Sequence, residues 1–454
     1  MSVSPARAAA FDILLRVERD SAYTSELLHS HEREKLSTPD HALTTELVMG
    51  VLRWRSCLDD EIAQASAQPL SNLDLEILIA LRLALYQFRW LDRVPQRAAL
   101  HESVELVKRA RKRSAAPFVN AVLRKLASSR PPARAAAEEA YVSPEALASA
   151  LAHPLWMVER WVSEYGLAAA QQICHHNQSI PKTSIRLRGP AAESELHHEG
   201  VILSPGGLLL SARRVETGDI TKTQALHAGR VVIQDEASQL VANLVGKDSR
   251  TGTRILDCCA APGGKTLAIA DHNPAAAITA VDLHPHRARL LQSLLHLHAP
   301  HSAARVQIVV ADAQRLPTSI SFDRVLADVP CSGTGTLARN PEIKWRLRRD
   351  DLRELHHRQS AILRSALAQV AAGGCLIYST CSLEKEENED VIEQALAGNS
   401  AFQLLDCRTE LDRLKSRGEL SWPDPSTLTR GPYLRTIPGI HPCDGFFAAI
   451  LEKA

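Results

Sequence analysis

The chain has no surplus of charge of either sign. Its 454 residues carry 53 Lys and Arg against 52 Asp and Glu, a formal net charge of +1. It is therefore no polycation, and any nucleic-acid site must come from local clustering of cations. It has no run of roughly 18 apolar residues, so no membrane span is expected. Met1-Ser2-Val3-Ser4-Pro5 lacks the long apolar core of a signal peptide. The nine cysteines stand at irregular spacings without a C-x₂-C pair. That argues against a disulfide framework or a structural zinc site and makes the cytoplasm the expected compartment. Two phosphate signatures are missing as well. Gly264-Lys265-Thr266 looks like the end of a P-loop, but the glycine a P-loop needs five residues earlier is Cys259. The dinucleotide fingerprint G-x-G-x-x-G is also absent.

What is present is a strand, a glycine turn and a helix. Arg254-Ile255-Leu256 leads into Asp257-Cys258-Cys259-Ala260-Ala261-Pro262-Gly263-Gly264-Lys265-Thr266, and Leu267-Ala268-Ile269-Ala270 leads out. This reads as the first βα unit of a doubly wound sheet, where ligands bind at the carboxyl ends of the strands. A nucleoside cofactor without a pyrophosphate remains, and S-adenosylmethionine fits. Its methionine portion is expected against the backbone of Cys259, Ala260, Ala261, Pro262, Gly263, Gly264 and Lys265. Asp282 ends the next apolar run, Ala277–Val281, about 20 residues after the turn, where a carboxylate meets ribose hydroxyls. Asp312 follows Val306–Val310 and Asp328 ends Phe322–Leu326. One such acid is usually a turn residue or a cap; acids at successive strand ends form a rim.

Two cysteines share that rim. Pro330-Cys331-Ser332-Gly333-Thr334-Gly335 follows Asp328, and Thr380-Cys381-Ser382 ends the run Cys375–Ser379. With the glycine turn, these motifs resemble the RNA (cytosine-5)-methyltransferases, densely so from about Gln234 to the C-terminus; Val329 replaces the Ala expected there. The resemblance implies methyl transfer to C5 of a cytosine, with Cys381 as nucleophile at C6 and Cys331 assisting product release. Asp328 is expected at the base's amino edge, assisting protonation of the ring and touching the cofactor as well. Asp282 is expected to hold the ribose and Asp312 the adenine amino group. A thiolate suits the task because it is strongly nucleophilic and leaves again. Lys265 is placed to favour a thiolate or to be a plain surface cation.

The first 130 residues read as helices throughout, for example Leu75–Tyr86 and Phe118–Leu126. Ala80–Gln87 and Phe118–Arg124 resemble a NusB-like RNA-binding domain, which points within the family to the bacterial 16S rRNA branch. The expected class is thus a multidomain chain: an all-α NusB-like bundle (1–135), a small α+β RNA-contacting subdomain (150–225) and an α/β Rossmann-like methyltransferase domain (226–454). Ser128–Ala137 reads as the linker. The run Lys108-Arg109-Ala110-Arg111-Lys112-Arg113 favours contact with RNA phosphates over a solvated helix end. Arg186 and Arg188, on one face of a strand, and the stretch Arg339, Lys344, Trp345, Arg346, Arg348 and Arg349 are further candidates for RNA. Asp235 sits where a helix N-cap belongs. A long helix is expected over 350–371, and Cys443–Leu451 reads as a last edge strand. His284, His286, His296, His298 and His301 lack companion ligands at metal spacing, so no metal is expected. The partner is RNA, with no DNA or membrane, and a monomer is the default.

Overall fold

The computed structural model describes residues 3–20, 22–28, 36–129, 141–247, 250–298, 305–316 and 320–454. They form two compact units: Met1–Ile180 together with Leu337–Leu347, and Pro181–Thr336 together with Arg348–Ala454. Most of the expected linker, from residue 130 on, lies outside the described residues.

The first unit is helical. Its central helix, Leu75–Trp90, is buried on nearly every side from Ile77 to Gln87, as its apolar residues around the whole circumference require. Helices Pro5–Arg19, Thr38–Arg53, Gln96–Arg109 and Ala116–Ser128 pack their apolar faces on it. Arg82 lies inside this core and is held by Asp59 at 2.6 and 2.7 Å and by Glu18 at 3.3 Å. Removing one partner of such a buried pair costs about 3–5 kcal/mol, because the other charge is left bare.

The excursion Leu337–Leu347 is also part of this unit, and it corrects an expectation. Lys344 is 1% exposed and donates to the carbonyls of Arg53 and Ala152, each at 2.8 Å. Trp345 Nε1 donates to Leu52 O at 2.6 Å, and Arg346 donates to the carbonyls of Val17 and Ala22. These side chains satisfy carbonyls at helix ends and in turns, where intrahelical partners run out. Lys344, Trp345 and Arg346 are structural clamps and not a surface for RNA; only Arg348 and Arg349 remain from that stretch outside the unit.

The second unit holds two sheets. Strands β1 (Ser184–Leu187), β2 (Ile202–Pro205), β3 (Ala212–Thr217) and β4 (Val231–Ile233) form an antiparallel sheet in the order β2-β3-β1-β4. Arg186 on β1 and Arg188 just past its end lie one alternation apart, but both bind Asp271, at 2.8 Å and at 2.6 and 2.8 Å. Burial, together with this pairing, commits them to the protein and not to a phosphate backbone.

The larger sheet contains β5 (Arg254–Asp257), β6 (Ala277–Asp282), β7 (Val306–Val310), β8 (Phe322–Asp328), β9 (Val370–Thr380), β10 (Phe402–Leu405), β11 (Thr429–Arg430), β12 (Tyr433–Thr436) and β13 (Phe446–Lys453). Its order is β11-β12-β13-β9-β8-β5-β6-β7, with β10 also on β13. The five strands β5 to β9 pair in parallel, and β13 runs antiparallel to β9. Asp235 caps the helix Glu236–Leu244 as expected, accepting from Ala237 N at 2.9 Å. Two boundaries differ from the sequence reading. The long helix ends at Leu367, because β9 begins at Val370, where it pairs with Phe322. And β13 is interior, flanked by β9 on one side and by β10 and β12 on the other. Its unbroken run Phe446–Leu451 is buried throughout, which is what a strand covered on both faces looks like.

The buried Lys344 makes the helical unit respond to pH. Burial pushes its ammonium down to about 7. The unfolded chain, with Lys near 10.4, then binds more protons above pH 7, so stability rises with pH there. Burial raises Cys57 and Cys174 to about 11 and about 12, which opposes the rise once an unfolded thiol ionises near pH 8.5. Urea unfolding followed by the fluorescence of Trp54, Trp90 and Trp345 is expected to show stability increasing from about pH 7 to 8.5, and Lys344→Met to flatten that increase.

Candidate active site

The carboxyl ends of β5, β6, β8 and β9 lie side by side, and the residues just beyond them build the site. After β5 the chain turns through Cys258–Gly263 into the helix Gly264–His272. Main-chain bonds fix this turn: Cys258 N donates to Leu326 O, Ala260 N to Val281 O, and Ala261 N to Asp282 Oδ2 at 3.2 Å. Arg287 returns a bond to Ala261 O at 2.8 Å. Gly263 has φ 115°, and a Cβ there would stand 2.6 Å from Leu291 Cδ1. The turn therefore needs glycine for its backbone and for the space above it.

On the neighbouring strands, Asp282 ends β6 and also accepts from His284 N at 3.0 Å. Asp312 follows β7 and caps the short turn Ala313–Arg315 through Gln314 N at 2.9 Å. Both acids thus do the capping work that a bland reading foresaw, and both stand on the expected rim. Beside them two large apolar side chains are left in the open: Leu283 is 53% exposed and Val310 51%. Bare aliphatic surface next to strand-end carboxylates is a fitting floor for a purine whose sugar and amino group need acceptors.

The reactive corner lies between β8 and β9. Their parallel register sets Asp328 opposite Ser379, so the turns that follow emerge together. Asp328 accepts from Ser379 Oγ at 2.7 Å and from Lys265 Nζ at 2.8 Å. Lys265 is held above its ordinary value against the cost of burial, first by Asp328 and further by the neighbouring Cys381. It is no plain surface cation. Cys331 Sγ and Cys381 Sγ are 3.3 Å apart. The hydrogen bond to Cys381, with burial, holds the Cys331 thiol well above its usual range. The Cys331 proton is thus retained beside the other sulfur. Gly335 closes this corner: its N–H donates to Cys381 O at 2.9 Å, and a Cβ on it would fall 2.2 Å from Gly445 O.

Of the other cysteines, Cys258, Cys375 and Cys407 are buried, as packing residues should be, and Cys259 is half-buried in the turn. No group of metal-ligating side chains is found among the described residues; His301 and the side chain of His298 lie outside them. In the basic run, Lys108 pairs with Glu105, Arg109 with Asp12 and Lys112 with Asp74 at 2.6–2.8 Å, leaving Arg111 and Arg113 exposed. Sequence reasoning gave no role to Asp257, which is 1% exposed beneath the site and accepts from Thr266 Oγ1 at 2.7 Å. It also passed over Ser379, Glu387 and Asn388. All four stand within the quoted motifs or a few residues beyond them, but only burial singles them out.

The strand order, with its reversal beside β5, is that of the Rossmann-like methyltransferases. Comparison with known proteins narrows this. Residues 246–452 match the model of the family described as 16S rRNA methyltransferase RsmB/F, and residues 4–128 match the NusB family. A Bacillus subtilis protein named "Probable ribosomal RNA small subunit methyltransferase B" is 32% identical over 100% of both chains. The Vibrio cholerae ribosomal RNA small subunit methyltransferase B is 30% identical over 98% of this chain and 97% of its own. A crystal structure of the protein PH0851 covers 100% of both chains with a TM-score of 0.79 at 24% identity, a likeness of fold. The chain belongs to the 16S rRNA methyltransferase RsmB/F family. It is an rRNA methyltransferase with an N-terminal NusB domain, and its family implies a methyl donor of the S-adenosylmethionine type.

Asp257 gives this corner its own pH signature. Burial raises its carboxyl from the ordinary 3.8 to about 7. The folded protein then binds the extra proton between these values, and the stability this provides is lost as the pH climbs through 7. Asp257→Asn removes that loss. Its melting temperature relative to the parent protein is expected to rise between pH 4 and 7 and to level off above, as differential scanning fluorimetry at a series of pH values would read.

Proposed function

We propose that the enzyme methylates C5 of a specific cytosine in 16S rRNA through a covalent bond between Cys381 and C6 of the base. The approach of two thiols to 3.3 Å on the rim, beside Asp328 and Lys265, is the observation that carries this reading. C5 of cytosine is a poor nucleophile. Addition of the Cys381 thiolate to C6 turns the ring into an enamine whose C5 is electron-rich. S-adenosylmethionine, when bound, supplies an electrophilic sulfonium methyl. The rest falls to the chain's own side chains. Asp328 meets the amino edge of the base, assists protonation of the ring and touches the cofactor. Lys265 supplies a fixed cation, paired with Asp328 at 2.8 Å. After transfer, loss of the C5 proton and breakage of the C6–S bond restore the aromatic ring, and Cys331 assists that release from alongside the leaving sulfur.

The cofactor is assigned to the backbone of Cys259, Ala260, Ala261, Pro262, Gly263, Gly264 and Lys265, with Asp282 on the ribose and Asp312 on the adenine amino group. The exposed Leu283 and Val310 support this fit. The base must be unstacked for C6 to be reached, which suits a loop or bulge of the RNA. Arg111 and Arg113 are assigned to RNA phosphates. A monomeric state and a cytoplasmic location complete the proposal.

The test is transfer of labelled methyl from S-adenosylmethionine to unmodified 16S rRNA. Label on one cytosine is expected, with Cys381→Ala lowering the rate by about 10³-fold or more. Cys331→Ala is expected to accumulate a protein–RNA adduct visible on a denaturing gel. Label on tRNA instead would keep the chemistry and replace the substrate; no label on either RNA would sink the reading.

A further inference from the structure

Behind the two cysteines lies a carboxylate that the chemistry above does not use. Glu387 is fully buried. It ends the short turn Lys385–Glu387 after β9. One of its oxygens accepts from Ser332 N at 2.8 Å and Gln359 Nε2 at 2.9 Å. The other accepts from the hydroxyls of Ser332 and Ser382. Ser332 directly follows Cys331, and Ser382 directly follows Cys381. The two hydroxyls are themselves 3.0 Å apart. Gln359 extends the same net to Pro330 O at 2.9 Å, and Tyr378 donates to Glu387 O at 2.6 Å. Thr334 Oγ1 and Leu383 N join the two turns once more, at 2.9 Å.

A buried carboxylate with four donors is costly to assemble and strong once satisfied, since bonds to an ionised acceptor are roughly twice as strong as neutral ones. The fold already provides β8–β9 pairing to bring the strands together, and a tight turn after either strand needs no acid. What this acid adds is a tie between the residues that follow each sulfur. We infer that Glu387 is a positioning residue, which fixes the distance between Cys331 and Cys381 by bonding the turns that carry them. Its neighbour Asn388 holds only the Cys381 turn, accepting from Thr380 Oγ1 and donating to Ser382 O at 2.9 Å.

The kinetic part of this inference rests on the two-cysteine reading; the geometric part does not. The geometric part is read without RNA or cofactor, on the full-length protein. Diamide takes up two hydrogens as two neighbouring thiols become a disulfide, and peptide mass mapping follows the Cys331–Cys381 bond with time. Glu387→Gln keeps the volume and replaces one acceptor by a donor that faces other donors. The bond is expected to form about tenfold more slowly in Glu387→Gln than in the parent, with kcat for methyl transfer reduced by up to about 10²-fold, the cost of a displacement near 1 Å, and KM for S-adenosylmethionine unchanged. Should Glu387→Gln not fold, Ser382→Ala removes a single donor and is expected to slow the bond by about threefold, a little under 1 kcal/mol. Disulfide formation at the parental rate in the folded variant overturns the inference, whatever its activity. Cys381→Ala retaining full methyl transfer overturns the two-cysteine reading instead, and leaves the disulfide result standing.

Discussion

The parallel pairing of β8 with β9 is the constraint on which the rest of the site depends. Each strand ends in a turn that begins with a small polar segment, Pro-Cys-Ser on one and Thr-Cys-Ser on the other. Because Asp328 faces Ser379 in register, the two sulfurs meet beyond the last main-chain bonds. A slip of one residue would turn one strand's side chains to the opposite face, separating the thiols and removing Asp328 from Lys265. The pairing is itself flanked by the buried run of β13 on the other edge of β9 and packed against by the long helix Asp351–Leu367.

Around that pairing the protein concentrates buried polar groups that a hydrophobic core would ordinarily exclude. Asp282, Lys265, Glu387 and Asn388 each have specific partners, and several main-chain N–H groups are spent on them, whereas Asp257 is bonded through one oxygen only, to Thr266 Oγ1. Such networks lose value steeply when one member is removed, since the others are left unpaired in a low dielectric. The apolar floor at Leu283 and Val310 lies at the opposite end of this gradient, bare and free of internal bonds. A polar cluster at the thiols and open apolar surface toward β7 divide the rim into a reacting end and a holding end.

The rim was legible in the sequence because its signals are local. A strand, a glycine turn, an acid at the next strand's end and a cysteine after a proline each occupy a few contiguous residues, and parallel topology gathers them without further information. The failures share the opposite character. Lys344, Trp345 and Arg346 read as a nucleic-acid surface because their acceptors are carbonyls some 190 to 330 positions earlier in the chain. Arg186 and Arg188 were read as one strand face, but Asp271 lies beyond the reach of any local pattern. β13 was read as an edge strand, although its uninterrupted apolar run already indicated cover on both faces.

The clamp formed by Leu337–Leu347 has a consequence for how the molecule is made. Carbonyls of Val17, Ala22, Leu52, Arg53 and Ala152 receive their donors from side chains synthesised much later. A nascent helical bundle leaving the ribosome therefore waits, with these groups hydrated, until four of the nine strands of the larger sheet have been translated. The amino-terminal part of the chain is finished by a segment that belongs in sequence to its carboxyl-terminal part, so an excised bundle lacks its own last strut.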